Sequence, residues 1–307
     1  MAGNITERQI QLGGVRCNLA RAGEKGAPLV MLHGVTRRWQ TFLPILPSLA
    51  ARWSVAALDF RGHGRSVYVD SPYRVVDYGA DVLHLLRNQF DEPAILYGHS
   101  LGAMVAAAVA AESPQLIRAL ILEDPPLDTM GRRIAETPLL SYFQGMQEVA
   151  GSKLALDTLA HEVADLWLKD PFTGDQKRLG GLRDAAALRF TAMCLSQLDP
   201  AVLLPIVAGR WLDGYEQAEI FAKIEAPVLL LQADPQCGGM LIDEDAHRIQ
   251  RQIASCTVVR YPQVGHLIHA DSPQAVSGAV HNFLESLEDQ RDLTCQRAIK
   301  EIASEDI

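Results

Sequence analysis

The sequence predicts an α/β protein in which helices flank a mostly parallel central sheet and a helical cap is inserted into the chain. Three observations predict this fold. Short apolar runs alternate with stretches of helical periodicity, which is the pattern of βαβ units. One strand, turn and helix carry a serine between two glycines, at Gly98–Gly102. Strand rhythm is absent from Leu127 to about Ala222 and then resumes, so a separate segment interrupts the sheet.

The first part of the chain alternates strands and helices after an N-terminal hairpin. Glu7–Leu12 and Val15–Ala20 read as two exposed strands joined by Gly13-Gly14. The elements expected next are strand Pro28–Leu32, an irregular helix in Trp39–Arg52, strand Ser54–Leu58, helix Tyr73–Phe90, a strand from Pro93, helix Leu101–Ala111 and strand Ile117–Leu122. Polar turns follow the buried strands. Because ligands bind beyond the carboxyl ends of parallel strands, these turns are expected to form one site.

The second part begins with helical stretches and no clear strand. The helices expected there are Leu139–Val149, Leu154–Leu168, Asp184–Leu198 and Ala201–Trp211. The elements expected after them are a strand from Ala226, helix Asp243–Ile253, strand Thr257–Tyr261 and helix Pro273–Leu287. We therefore expect a core of residues 1–126 and 223–290, a cap of residues 127–222 and a tail of residues 291–307. The charged tail is either a frayed helix or a contact in a homodimer.

Composition narrows the classes of partner. The 307 residues carry a net charge of −9, which disfavours binding to nucleic acid or to an anionic membrane. Five scattered cysteines favour neither a disulfide framework nor a zinc site. The N-terminus lacks the apolar region of a signal peptide, and no run reaches the roughly 18 apolar residues that span a bilayer. We expect a cytoplasmic protein without a membrane partner.

Ser100 is the candidate nucleophile. It lies in Gly98-His-Ser-Leu-Gly102, between an apolar strand and an alanine-rich helix. A serine in such a tight turn adopts a strained conformation with its hydroxyl pointing outward. The flanking glycines let the helix pass close to the strand, where a Cβ atom would clash.

Five ordered motifs make the chain resemble the α/β-hydrolase superfamily. They are His33-Gly34, Asp59-x-Arg-Gly-His-Gly-x-Ser66, Gly98-His-Ser-Leu-Gly102, Pro227-Val-Leu-Leu-Leu231 and Gly265-His266. The resemblance implies that Ser100 is the nucleophile and that His266 is the base that accepts its proton. It also implies an oxyanion hole formed by the backbone N–H groups of Val35 and Leu101.

The acid of the triad is left open. Relatives usually end the strand from Pro227 with Gly-x-x-Asp, but here the expected position holds Gln236, which cannot stabilise an imidazolium. Other members take the acid from the preceding strand, where Asp124 lies. The candidates are Asp124, then Asp234 on the usual loop, then Glu123. Because successive residues of a strand point to opposite faces, only one of Glu123 and Asp124 can point toward His266.

Several further residues are expected near the substrate or in support of the loops. Trp39, Phe143, Trp167 and Trp211 are candidates for an apolar pocket. Arg37 and Arg38 either meet an acidic group of the substrate or are solvated. The histidines expected to be structural are His33, His63, His99 and His269.

The expected activity is that of a cofactor-independent serine esterase or lactonase acting on a small apolar or aromatic ester-type substrate. An acyl-enzyme would form on Ser100 and be released by water. Cleavage of an amide, a thioester or a carbon–carbon bond by the same triad is an alternative. Two other classes stay open, a cofactor-free oxygenase and a receptor-like member that binds a ligand in the pocket.

Overall fold

The structure is a computed structural model that describes residues 5–288. The expectations for the first four residues, for residues 289–290 and for the tail of residues 291–307 lie outside the described residues. The strands are β1 (Thr6–Leu12), β2 (Val15–Ala22), β3 (Pro28–Leu32), β4 (Ser54–Leu58), β5 (Ala94–His99), β6 (Ile117–Glu123), β7 (Trp167–Lys169), β8 (Gln176–Arg178), β9 (Val228–Ala233) and β10 (Cys256–Tyr261).

Eight of these strands form one sheet in the order β1-β2-β4-β3-β5-β6-β9-β10. β1 pairs with β2 and β2 with β4 in antiparallel orientation, and the other pairs are parallel. The expected α/β fold with a mostly parallel sheet is therefore confirmed. β5 lies at the centre, with His99 in register with Glu123 of β6. This register brings the residues that follow β5 and β6 to the same level of the sheet edge.

Helices cover both faces of the sheet. The α-helices are α1 (Leu46–Ala50), α2 (Gly79–Gln89), α3 (Leu101–Glu112), α4 (Leu127–Met130), α5 (Leu139–Val149), α6 (Leu156–Ala164), α7 (Ala185–Ser196), α8 (Leu204–Val207), α9 (Gln217–Ala222), α10 (Asp243–Gln252) and α11 (Ile268–Asp271), and residues 273–288 form a last helix, α12. Short 3-10 helices span Trp39–Phe42, Val75–Tyr78, Pro114–Leu116, Ile134–Glu136, Leu179–Gly181, Pro200–Leu203 and Pro235–Cys237.

The apolar core forms a layer on each side of the sheet. In β3, Val30 and Leu32 belong to one layer, whereas Leu29 and Met31 belong to the other. A strand buried on both faces reads as a continuous apolar run, which is why its bounds were predictable. The expectation of two exposed strands in the hairpin is wrong for β2. Most of β2 is buried because it lies between β1 and β4.

Residues 127–222 lie between β6 and β9 in the chain, while those two strands are neighbours in the sheet. The segment is mainly helical, but the expectation that it contains no strand is wrong. β7 and β8 form a separate antiparallel pair, and the expected helix from Leu154 ends at Ala164 before β7. The division into a core and a cap remains a proposal.

Among residues 5–288, no single helix is long and apolar enough to cross a membrane. The helix α7 and the segment Pro200–Val207 together reach the required length and composition, but they meet at an angle of 106°.

Candidate active site

Ser100 lies in the turn between β5 and α3 with an unusual backbone. Its φ is 55° and its ψ is −115°, a conformation that L residues rarely adopt. A Cβ atom on Gly98 would lie 2.2 Å from the carbonyl oxygen of Gly102, and one on Gly102 would lie 1.9 Å from that of Leu32. Both positions therefore require glycine so that the turn can form. The turn holds Ser100 at the carboxyl end of the central strand.

Backbone strain recurs at the ends of the neighbouring strands. Thr36 follows β3 with a φ of 63°, and Asp124 follows β6 with a φ of 44°. Gln263 follows β10 with a φ of 61°, so four of the five non-glycine residues with positive φ among residues 5–288, Ser100 included, lie in the turns and loops that follow strands at this edge of the sheet. Such conformations cost about 1–3 kcal/mol each and concentrate at functional sites.

His266 is hydrogen-bonded to Asp124. Its Nδ1 atom lies 2.6 Å from Asp124 Oδ2, and the carboxylate is fully buried. The same oxygen accepts a hydrogen bond from Met240 N at 2.8 Å, and Oδ1 accepts from Ala233 N and Leu241 N at 3.2 Å. Four donors thus hold the carboxylate, which acts only as an acceptor when ionised. It orients the ring and places a proton on Nδ1, leaving Nε2 free to act as a base.

The other two candidate acids have different partners. Asp234 accepts hydrogen bonds from Gln236 N at 2.9 Å and Gln263 N at 2.8 Å, and these two bonds hold the pKa of its carboxyl below the usual value. Glu123 is fully buried and faces His269. Among the three carboxylates, Asp124 is the one that the structure brings to His266.

A buried network supports the loop that carries His266. Glu123 accepts hydrogen bonds from Tyr97 Oη at 2.5 Å and from both N and Nδ1 of His269 at 2.9 Å. Next to the nucleophile, His99 Nε2 lies 3.0 Å from the carbonyl oxygen of His266 and donates to it. Burial, and then the charges of His266 and His269, hold the pKa of His99 well below its usual value. The segment from His266 to His269 is therefore held at one end by His99, which precedes Ser100, and at the other by Glu123, which precedes Asp124.

The residues of this network also form a group of potential metal ligands. His99, Glu123 and His269 bring one ligand atom each within 4.8 Å of one another. However, both carboxylate oxygens of Glu123 accept hydrogen bonds, and His269 Nε2 lies 2.9 Å from Thr41 Oγ1. A metal ion would have to displace these bonds, so the group fits a hydrogen-bond network better than a metal site.

A cavity of about 430 Å³ opens above Ser100 and His266. Its size is in the range of sites for small molecules. Apolar side chains form much of its wall: Val35, Met130, Leu139, Phe143, Leu179 and Met240. Within residues 5–288, the Ser100 hydroxyl forms no hydrogen bond to His266. Bonds of this kind are often long before substrate binds and tighten in the complex.

The two expected oxyanion donors lie next to Ser100 in the chain or in space. Leu101 is the first residue of α3, where a helix leaves its N–H groups without an intrahelical acceptor. Val35 lies in the loop after β3, and a Cβ atom on the adjacent Gly34 would lie 3.1 Å from Ser100 Cβ. The loop thus runs against the nucleophile. The expected oxyanion donors, Val35 and Leu101, flank Ser100 from two elements.

The expected pocket residues divide into two groups. Phe143 lines the cavity, whereas Trp39, Trp167 and Trp211 do not. Trp39 and Trp211 are buried in the protein core, and Trp167 lies outside, 44% exposed and beneath the guanidinium group of Arg178. The expectation of three pocket tryptophans is therefore wrong, because two of the side chains pack into the core and the third lies on the surface.

Four of the lining residues that were not anticipated carry a phenol hydroxyl, guanidinium, thiol or carboxyl group that could meet a ligand: Tyr142, Arg183, Cys237 and Asp271. They come from distant parts of the sequence, and no motif marks them. Only Asp271 had a usable signal, since it follows His266 by five residues in the same loop and helix region.

The remaining loop histidines tie strand ends together. His33 Nε2 accepts a hydrogen bond from Phe60 N at 3.0 Å, which joins the loops after β3 and β4. His63 Nδ1 lies 2.9 Å from the carbonyl oxygen of Arg61. Burial lowers the pKa of His33 to about 4 and that of His63 to about 3, so both are neutral at pH 7. Neither lines the cavity.

Comparison with known proteins adds to this geometry. The sequence matches the model of the alpha/beta hydrolase family over residues 29–279. A 2-(acetamidomethylene)succinate hydrolase of Mesorhizobium japonicum is 27% identical over 291 residues, which span 92% of this chain and 96% of that protein. An sn-1-specific diacylglycerol lipase of Danio rerio is 27% identical over 267 residues, which span 84% and 78%. Among crystal structures, an N-formylmaleamic acid deformylase of Pseudomonas putida S16 has a TM-score of 0.72 at 20% identity, covering 90% of this chain and 100% of that one.

Proposed function

The chain belongs to the alpha/beta hydrolase family, and we propose that it is a serine hydrolase that cleaves a carboxylic ester or lactone through an acyl-enzyme on Ser100. The family and its named relatives support hydrolase activity. The observation that carries the proposal is the bond between His266 Nδ1 and Asp124 Oδ2, 2.6 Å long, at the cavity that contains Ser100. A nucleophile, an oriented base and a buried acid are the parts that acyl transfer requires.

Acylation begins when Ser100 Oγ attacks the carbonyl carbon of the substrate. His266 Nε2 accepts the hydroxyl proton, and Asp124 stabilises the imidazolium that results. The negative charge on the carbonyl oxygen is met by the N–H groups of Val35 and Leu101, each worth about 3–4 kcal/mol to the transition state. The carbon–oxygen bond to the leaving group then breaks, and His266 returns the proton to the departing oxygen.

Deacylation repeats these steps with water. His266 removes a proton from a water molecule, whose oxygen attacks the acyl carbon. The bond to Ser100 Oγ breaks, and the proton passes from His266 to that oxygen. The products are a carboxylic acid and an alcohol, which remain one molecule if the substrate is a lactone. Ser100 and His266 are restored.

Hydrolysis of an amide on the same triad is the second candidate. It is favoured by the relative named for 2-(acetamidomethylene)succinate, which matches 92% of this chain. In that case His266 protonates a departing nitrogen instead of an oxygen. Turnover of an ester and an amide with the same acyl group would separate the two candidates.

Labelling with a fluorophosphonate tests the proposed nucleophile. We expect intact-mass analysis to detect one adduct on the wild-type protein and none on Ser100→Ala. The Ser100→Ala variant should also lose several orders of magnitude in kcat with a 4-nitrophenyl ester, because the triad acts as a unit. Ser48→Ala is a matched control, since Ser48 is exposed and lies outside the cavity.

Labelling that persists in Ser100→Ala would contradict the acyl-enzyme mechanism. If the folded wild-type protein is not labelled, the oxygenase and receptor alternatives take precedence. Oxygen uptake with heteroaromatic compounds would then distinguish the oxygenase from a binding protein.

A further inference from the structure

We propose that the cavity binds a carboxylate of its substrate through Arg37 and Arg183, so that the substrate is a small acid that also carries the scissile bond. This assignment rests on the proposed hydrolase function and names the substrate class of that site. Both arginines line the cavity that contains Ser100 and His266. They also line an adjoining cavity of about 320 Å³, so they lie at the boundary between the two spaces.

Arg37 has only neutral partners among the described residues. Its Nη1 atom donates a hydrogen bond to Thr191 Oγ1 at 3.0 Å, and its side chain also contacts the thiol of Cys194. Burial raises the pKa of that thiol to about 11, so it carries no charge. Arg37 itself is half-buried. A partly desolvated guanidinium without a counter-ion is unfavourable, and an anion in the cavity would compensate it.

Three other arginines are paired with carboxylates. Arg61 forms a buried ion pair with Asp81 at 2.5 Å, and Arg133 and Arg248 both pair with Asp245. Within residues 5–288, neither Arg37 nor Arg183 forms such a pair. Arg37, which is half-buried, and Arg183, which is exposed, thus lack a carboxylate partner in a protein whose net charge is −9.

Asp271 is the acidic residue in the cavity wall. Burial raises the pKa of its carboxyl, and the charge of Arg183 partly opposes that rise. With two guanidinium groups and one carboxylate, the wall is positive by one charge even when Asp271 is ionised. A substrate carboxylate would therefore meet a net attractive site.

The position of Arg37 connects this charge to the reaction. Arg37 follows the proposed oxyanion donor Val35 by two residues, and its N–H donates to the carbonyl oxygen of Gly34 at 3.1 Å. The guanidinium is therefore attached to the loop that would hold the scissile carbonyl. A planar guanidinium matches a carboxylate through two parallel hydrogen bonds, which gives both affinity and orientation.

A pair of matched esters tests the assignment at constant ionic strength. One substrate is the mono-4-nitrophenyl ester of adipic acid. The other is methyl 4-nitrophenyl adipate, a diester in which a methyl group removes the charge of the free carboxylate. We expect the wild-type protein to prefer the acid by at least about tenfold in kcat/KM. Arg37→Gln and Arg183→Gln should each reduce this preference, measured as the ratio of the two kcat/KM values, by about tenfold or more.

Arg189→Gln is the matched control. Arg189 lies on α7 near Arg183, it lines neither cavity, and its loss changes the net charge equally. We expect this variant to keep the wild-type preference. Equal turnover of the two esters by the wild-type protein would overturn the assignment, as would a preference that survives in both cavity variants.

Binding measured by calorimetry separates this assignment from the proposed chemistry. Glutarate should bind the wild-type protein and glutaramide should not, and Arg37→Gln should abolish glutarate binding. Glutarate binding without fluorophosphonate labelling would refute the hydrolase but support the anion site. Fluorophosphonate labelling without glutarate binding and without a preference for the acid would support the hydrolase and refute the anion site. Inorganic phosphate that binds as tightly as glutarate would contradict recognition of a carboxylate.

Discussion

Replacing Asp124 by asparagine is the most direct test of the proposed acid. The carboxylate receives four hydrogen bonds, two on each oxygen, and one of them comes from His266. An asparagine has one acceptor oxygen and one donor group. If its NH₂ group faces Ala233 and Leu241, two backbone donors lose their acceptor. If it faces His266, the imidazole must accept a hydrogen bond at Nδ1 and carry its proton on Nε2.

The second arrangement removes the base, because Nε2 can no longer accept the serine proton. A wrong tautomer of this kind costs about 10⁴-fold in kcat, equivalent to about 5 kcal/mol in the activation free energy. The first arrangement leaves two buried donors unpaired, Ala233 N and Leu241 N, whereas the second leaves one, Met240 N, and each unpaired donor costs about 1–3 kcal/mol of stability. The second arrangement is therefore the more stable of the two, and it also weakens the fold. We therefore expect Asp124→Asn to lose about 10⁴-fold in kcat and to unfold at lower urea concentration.

Hydrolysis of a 4-nitrophenyl ester and the rate of fluorophosphonate labelling measure the effect, and circular dichroism establishes that the variant is folded. Asp234→Asn is the matched control, since Asp234 lies at the same edge but bonds Gln236 and Gln263 instead of His266. We expect it to change kcat by less than about threefold. A folded Asp124→Asn variant that keeps near-wild-type kcat would refute the reasoning, above all if Asp234→Asn were inactive.

Two further predictions concern the buried groups around the site. Glu123→Gln disturbs the hydrogen bonds to His269, so we expect the free energy of unfolding in urea to fall by about 2 kcal/mol. We expect kcat to fall by less than about tenfold, and a loss of about 10⁴-fold in kcat would indicate that Glu123 is the acid of the triad. The second prediction concerns His33 and His63, which are neutral in the folded protein, whereas the unfolded chain protonates them below about pH 6.5. Their contribution to the free energy of unfolding is therefore present above that pH and is lost as the pH falls toward 4. Between pH 7.5 and pH 5 we expect these two rings to account for about 4 kcal/mol of the loss in the free energy of unfolding, so urea titrations of His63→Asn should lose about 2 kcal/mol less than those of the wild-type protein. An equal loss in both proteins would contradict the neutral state of His63.

Much of the fold could be predicted from the sequence because the patterns that specify its strands and turns lie within short stretches of the chain. β3 and β4 were predicted with the bounds that the structure has, since a strand buried on both faces is a short apolar run ended by polar residues. The turn at Ser100 was predictable from glycine spacing, because the close contacts of Gly98 and Gly102 exclude any side chain there.

Other features could not be predicted because they depend on contacts between distant parts of the chain. β7 and β8 have three residues each, too few to show a period of two, and they form because they pair with each other. Trp39, Trp167 and Trp211 looked alike in sequence, but the direction of each side chain depends on how the surrounding segments pack. Arg183 is remote from every motif and reaches the cavity only through the fold.

The sequence by itself was enough to infer the α/β architecture, the turn that holds Ser100 and the choice of His266 as the candidate base. The tertiary structure decided which carboxylate meets that histidine. Glu123 and Asp124 are adjacent, yet the positive φ of Asp124 turns its side chain to His266, while Glu123 points into the core toward His269. Side-chain direction at a strand end depends on the backbone of the turn and on the neighbouring strand, and neither leaves a periodic trace in the sequence.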